Sequence, residues 1–183
     1  MWTIGHSTRS RETLVALLRA HGIERVADVR RFPRSRRHPH VNTDALARDL
    51  PAAGLAYRHL PGLGGFRRAR PDSRNTGWRN PSFRGYADYM ETGEFAGHLA
   101  ELLEEARLGP TAIMCAEAVP WRCHRSLIAD ALVARGVEVR HILGPARADP
   151  HTLTEGARVE ADRVVYPGEP DLFGAAGRLT AND

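Results

Sequence analysis

Short β-type runs and helical repeats alternate about five times along this chain, and no other feature restricts the fold as strongly. Trp2-Thr3-Ile4 reads as a strand that stops at Gly5-His6-Ser7. Ser10 then precedes a helical pattern of Leu14, Leu17, Leu18 and His21, which ends at Gly22. Arg25 to Val29 is a second strand. Asn42 is placed to cap a helix carrying Leu46 and Leu50, closed near Pro51 and Gly54. Leu55 to Leu60 is a third strand, running into the glycine turn Gly62 to Gly65. Phe83–Met90 and Glu94–Arg107 have helical spacing, with Phe95, Leu99, Leu102, Leu103 and Ala106 as one stripe. Thr111 to Cys115 is the fourth strand, followed by a helix to Arg135 whose first turn holds Pro120, and a fifth strand from Val137 to Leu143. The polar stretch from Arg67 to Pro81 has no period and is expected to be a binding loop or disordered.

Strands separated by crossover-length helices predict an α/β class. The expected architecture is a single three-layer, Rossmann-like domain, with a mostly parallel five-stranded sheet and helices on both faces. Residues 1–143 would form it. Residues 144–183, with short strands at Thr152-Leu153 and Val164-Val165-Tyr166, would be an extension packed on it or partly disordered.

At 183 residues the chain is long enough for one substantial core. No apolar run approaches the ~18 residues of a membrane span, the start has no leader-like pattern, and two cysteines make no disulfide framework. A cytoplasmic protein without membrane contact is the expectation. The 26 basic residues are all Arg, and they are unevenly placed. Arg30 to Arg84 holds 13 Arg against three acids, a net +10, whereas Gly85 to Asp183 holds 9 Arg against 16 acids, a net −7. That asymmetry fits either a basic face for a phosphorylated partner or a solvated face neutralised by the acidic second half.

In an open parallel sheet, ligands bind beyond the carboxyl ends of the strands. The unusual residues lie at those ends: Gly5-His6-Ser7, then Asp28 with Arg30, Arg31, Arg34, Ser35, Arg36 and Arg37, then Gly64-Gly65, then Cys115 and Glu117, then His141. The expected centre is the strand–turn–helix from Thr111 to Arg135, which gathers Cys115, Glu117, Cys123, His124 and Arg125. A thiol just before a helix N-terminus favours a thiolate or an anion, and Arg122 and Arg125 add positive charge. His124 would share a helix face with Ile128, Ala131 and Leu132.

Several chemistries suit these residues. A cysteine-phosphatase or rhodanese loop is one, but six residues rather than five separate Cys115 from Arg122, and Glu117 would repel an anion. Cys123-His124-Arg125-Ser126 has the C-x-x-S spacing of thiol–disulfide proteins. Cys115, Cys123 and His124, joined by His6 and His141, suit zinc or iron. Asp28 is a general base or a tether for Arg30 or His6. Each residue also has a plainer reading: Cys115 and Cys123 as small buried hydrophobes, His124 as a core histidine. No motif specifies a cofactor or an oligomeric state. Phe32, Phe66 and Trp78, interleaved with Arg, suggest stacking on nucleotide or nucleic-acid bases.

Thr3-Ile4-Gly5-His6-Ser7, Asp28-Val29-Arg30 through Pro33-Arg34-Ser35, Leu63-Gly64-Gly65, and Met114-Cys115-Ala116-Glu117 ending in Cys123-His124-Arg125 together resemble the family called domain of unknown function 488. The resemblance covers Met1 to Leu143. It implies a compact α/β domain with these signature residues at its site, and it names no reaction. The leading expectation is an enzyme acting on a phosphate-bearing substrate, a nucleotide or nucleic acid. Cys115 would be nucleophile or ligand, His124 acid–base partner, and Glu117 or Asp28 orienter, with Arg residues holding phosphate. A non-catalytic nucleic-acid-binding module and a thiol-redox or Zn/Fe-binding protein are the rivals.

Overall fold

The computed structural model describes residues 1–168. Its main sheet has six strands in the order β3-β2-β4-β1-β5-β6: β1 (Trp2–Gly5), β2 (Arg25–Asp28), β3 (Ala56–His59), β4 (Thr111–Cys115), β5 (Arg140–Gly144) and β6 (Arg147–Pro150). The first five are mutually parallel, as the crossover pattern predicts. β6 extends the five expected strands to six and runs antiparallel to β5. Its Pro150 is tolerated because the strand forms the sheet edge. The expected strand at Thr152-Leu153 is not formed; that segment is irregular. A separate hairpin pairs β7 (Arg158–Glu160) with β8 (Arg163–Val165).

Among the described residues, five α-helices cover the sheet. α1 (Arg11–Ala20) and α2 (Thr43–Ala52) pack on one face, burying Leu14, Leu17, Leu18, Leu46 and Leu50 against Ile4, Val26, Ala112 and Met114. α3 (Pro81–Met90), α4 (Gly93–Arg107) and α5 (Arg125–Val133) bury Tyr86, Phe95, Leu99, Leu102, Leu127 and Ile128 against Ala27, Val29, Ile113 and Cys115. Alternation along β4 divides its residues between the two cores: Ala112 and Met114 to one, Ile113 and Cys115 to the other. Each fully buried Leu contributes roughly 1.5–3 kcal/mol. The helix starts follow capping chemistry, with Ser10, Asn80 and Thr92 accepting from Thr13 N, Ser82 N and Phe95 N. Asn42 differs. It stands at the N-cap of α2, but its Oδ1 accepts from Ser35 N at 2.6 Å and so ties down the Arg arm instead.

Two buried carboxylates organise the rest. Asp88 accepts from Arg70 N, Ser73 Oγ and Asn75 Nδ2, and Asn75 Oδ1 accepts from Tyr166 N. The Arg67–Pro81 stretch is therefore an ordered loop wrapped around one side chain. Asp130 accepts from His151 Nε2, Thr154 N, Thr154 Oγ1 and Tyr166 Oη. The part of the 144–183 segment beyond residue 168 lies outside the described residues.

Candidate functional site

Because five strands are parallel, their carboxyl ends share one edge, and a cleft of about 380 Å³ opens there. Its floor is Cys115, Cys123 and His124; its walls include Arg30, Arg31, Phe32, Gly65, Phe66, Tyr86, Glu117 and Arg122. Backbone bonds carry the sheet past its formal ends: His6 N donates to Cys115 O at 2.9 Å, and Val29 N to Met114 O at 3.0 Å. The first residues beyond β1 and β2 are thus held as strand residues are.

The turn after β4 differs from the expected continuous helix. Pro120–Arg122 forms a short 3-10 turn, Cys123 is extended, and α5 begins only at Arg125. Pro120 starts the first of these pieces, not α5, so Cys123 precedes the helix and His124 is its N-cap. The extended backbone swings the Cys123 thiol back toward Cys115. His124 Nδ1 lies 3.7 Å from Cys123 Sγ and 4.0 Å from Cys115 Sγ, and its Nε2 donates to Val29 O at 3.3 Å. That bond leaves Nδ1 as the lone-pair nitrogen facing both sulfurs. The thiols divide in acidity. Cys123 is lowered to about 7, first by a hydrogen bond from Cys115 and helped by Arg125, while Cys115 is pushed up by that same bond and by burial.

Gly64 and Gly65 are needed for space, since neither has a positive φ. A β-carbon at Gly65 would sit 3.1 Å from His124 Nδ1, and one at Gly64 would sit 2.6 Å from Arg31 Cβ. Tyr86 and Tyr89 pin this turn by donating to Leu63 O and Gly62 O. Tyr86, Phe83 and Ser82 line the cleft, yet sequence reasoning missed them. Buried Tyr86 and part-buried Phe83 look like ordinary core and exposed Ser82 like ordinary surface, and no local signal marks them as site residues.

Other expected residues have different duties. Arg30 holds Asp28 through Nε at 2.8 Å and Nη2 at 2.6 Å, and its Nη1 donates to His6 Nε2 at 3.0 Å. His6 Nδ1–H in turn donates to Ser7 O, so the ring is neutral; burial, then Arg30, lowers it to about 4. Asp28, which also accepts from Tyr57 Oη, is a tether rather than a free base. Ser7 has φ 50 and does not line the cleft. His141 turns to Thr3 and His151, away from the thiols, so His6 and His141 do not join the Cys115–Cys123–His124 group. Arg125 is buried, and its Nη1 and Nη2 donate to Glu117 O and Ala118 O; it fastens the turn instead of facing a ligand. Arg34, Ser35 and Arg36 line a separate groove with Asn42 and Asp44, and Arg37 is exposed outside both.

A family model described as "Domain of unknown function DUF488" matches residues 10–132, about two thirds of the chain. The chain belongs to this family. The DUF488 match takes in Asp28, Arg30, Gly64, Gly65, Cys115, Glu117, Cys123, His124 and Arg125, and every residue that lines the cleft lies inside it. It begins after His6 and Ser7 and ends before His141, narrower than the Met1–Leu143 resemblance. No curated protein and no solved structure matches this DUF488 chain. Among the described residues, no helix is long and apolar enough to cross a membrane.

Proposed function

We propose that this protein is an enzyme acting on a phosphate-bearing substrate, a nucleotide or a nucleic acid, in the cleft above Cys115, Cys123 and His124. The observation that carries this reading is the pairing of a reactive floor with a cationic, aromatic mouth. Arg31 and Arg122 line that mouth, and Arg forks match phosphate oxygens in two-point contacts. Phe32 and Phe66, 70% and 82% exposed, face each other at 6.2 Å between ring centres, with the Arg31 guanidinium over the Phe32 ring. Exposed rings beside guanidinium groups suit a base stacked above a bound phosphate. Phe66 also has φ 62, an uncommon backbone state for a bulky residue, and such strain tends to occur at ligand clamps.

The reacting group lies on the floor, where Cys123 is the more acidic thiol beside His124, and Glu117 is exposed on the wall of the same cleft. A cytoplasmic setting agrees with two unpaired thiols. The test is a panel of nucleotides and short single strands, assayed for binding and turnover at low salt. Cys123→Ser should abolish turnover and retain binding, and Arg122→Ala should raise KM. If no member of the panel binds, the reading fails.

The Arg34–Ser35–Arg36 groove favours a second reading, a nucleic-acid-binding module without catalysis. It predicts affinity that falls steeply with salt, is lost in the triple Arg34→Ala, Arg36→Ala, Arg37→Ala variant, and is indifferent to Cys123→Ser.

A further inference from the structure

We infer that Cys115, Cys123 and His124 form a three-ligand site for a zinc ion, whose fourth position opens into the cleft. The three donor atoms lie within 4.8 Å of one another. A tetrahedral zinc with Zn–S of about 2.3 Å and Zn–N of about 2.0–2.1 Å requires S···N of about 3.6 Å and S···S of about 3.8 Å. The S···N distances of 3.7 and 4.0 Å approach the first value and are long for direct thiol–imidazole hydrogen bonds.

The histidine is prepared as a ligand. Metal-bound imidazole usually gives its second N–H to a carbonyl or carboxylate, which fixes the tautomer. His124 Nε2 donates to Val29 O, and Nδ1 faces the sulfurs. Gly65 keeps that nitrogen uncovered, because the atom nearest to a β-carbon there is Nδ1 itself. The ligands also come from rigid elements: Cys115 ends a central strand, and Arg125 clamps the turn that carries Cys123.

Charge is compatible too. Two thiolates offset the dication, so the loaded centre adds no net charge beside Arg30 and Arg31. Binding displaces the thiol protons into solvent, and no oxidant or reductant is needed. Three protein ligands with one open position make the arrangement of a catalytic rather than a structural zinc. Glu117 and Arg122 line the same cleft, where a water or a substrate oxygen would take the open position.

The inference does not depend on the substrate reading, and its test uses no substrate. The full-length protein is stripped with chelator under reducing conditions and titrated with cobalt(II), then with zinc. The expected result is one cobalt per chain, with the visible bands of tetrahedral cobalt and thiolate-to-cobalt charge transfer, bleached by one equivalent of zinc. Cys123→Ser and Cys115→Ser should each weaken or abolish the charge-transfer signal, while Arg122→Ala leaves it intact. Circular dichroism of the metal-free variants separates lost ligation from lost folding. Absence of stoichiometric cobalt uptake by the reduced wild-type protein overturns the inference, as does a spectrum unchanged in both cysteine variants. A wild-type protein that takes up no metal and instead closes an intramolecular Cys115–Cys123 disulfide also overturns it and points to thiol redox chemistry.

Discussion

Arg30 grips Asp28 from only two residues away, with Nε and Nη2 on the two carboxylate oxygens and neither side chain more than 9% exposed. A third arm of the same guanidinium reaches His6, and Nη2 also reaches Val41 O. One side chain thereby ties the exits of β1 and β2 to the loop before α2. Removing the carboxylate leaves a buried cation with no counter-ion, which costs about 3–5 kcal/mol. Asp28→Ala is expected to lose stability on that scale, measured as a lower urea midpoint at unchanged m-value.

His6 should make stability depend on pH. Its folded value is lowered to about 4 from 6.5, so the native state holds the neutral ring while the unfolded chain takes up a proton below pH 6.5. The stabilisation is complete above that point and is lost as pH falls toward about 4, at up to about 1.4 kcal/mol per pH unit. His141 is lowered to about 4 as well, by burial and then by His151, and contributes in the same direction. The slope of unfolding free energy between pH 6.5 and 4 should be shallower in His6→Gln than in the parent. Equal slopes would remove His6 as a source.

The two glycines of the β3 exit should separate by consequence. Gly64→Ala forces its methyl into Arg31 Cβ and backbone, at 2.6 to 2.8 Å, and should cost about 1–3 kcal/mol by thermal melting. Gly65→Ala meets a ring nitrogen at 3.1 Å, where a few tenths of an ångström suffice. Its stability should change by under about 1 kcal/mol, with the defect appearing at His124. Imidazole NMR shifts and cobalt uptake are the readouts.

Phe66 offers a cleaner separation of binding from folding. Phe66→Gly removes a ring that is 82% exposed and relieves a φ of 62, so the fold should gain up to about 1 kcal/mol. Nucleotide affinity should fall by about 1–3 kcal/mol, the usual size of a base–aromatic stack. A variant that binds nucleotide as well as the parent would exclude the stacking role.

Much of this fold was legible because β-type runs and helical periods are local signals. Leu14, Leu17 and Leu18 announce a helix face without help from the rest of the chain. β6 was not legible: Arg147-Ala148-Asp149-Pro150 is polar and carries a proline, and only its pairing with β5 makes it a strand. The site was legible as a place, since strand exits in a parallel sheet must share an edge. Individual duties were less so. Arg122 and Arg125 look alike in sequence, yet one lines the cleft and the other is 1% exposed with its guanidinium on carbonyls. Charge is a property of a residue, whereas burial belongs to the whole fold. Pro120 misled for a related reason, because a proline suits the first turn of a 3-10 segment as well as that of an α-helix.

The Asp130 carboxylate sets a length for the smallest fragment of this protein worth expressing. The match to the family ends at residue 132, but the side chains that donate hydrogen bonds to Asp130 come from His151, Thr154 and Tyr166. A fragment trimmed to the family boundary would leave the buried Asp130 carboxylate on α5, the helix that follows His124, without these partners. The inheritable module and the physical folding unit are therefore different objects here, and the second is at least 34 residues longer at its carboxyl end, from 132 to Tyr166.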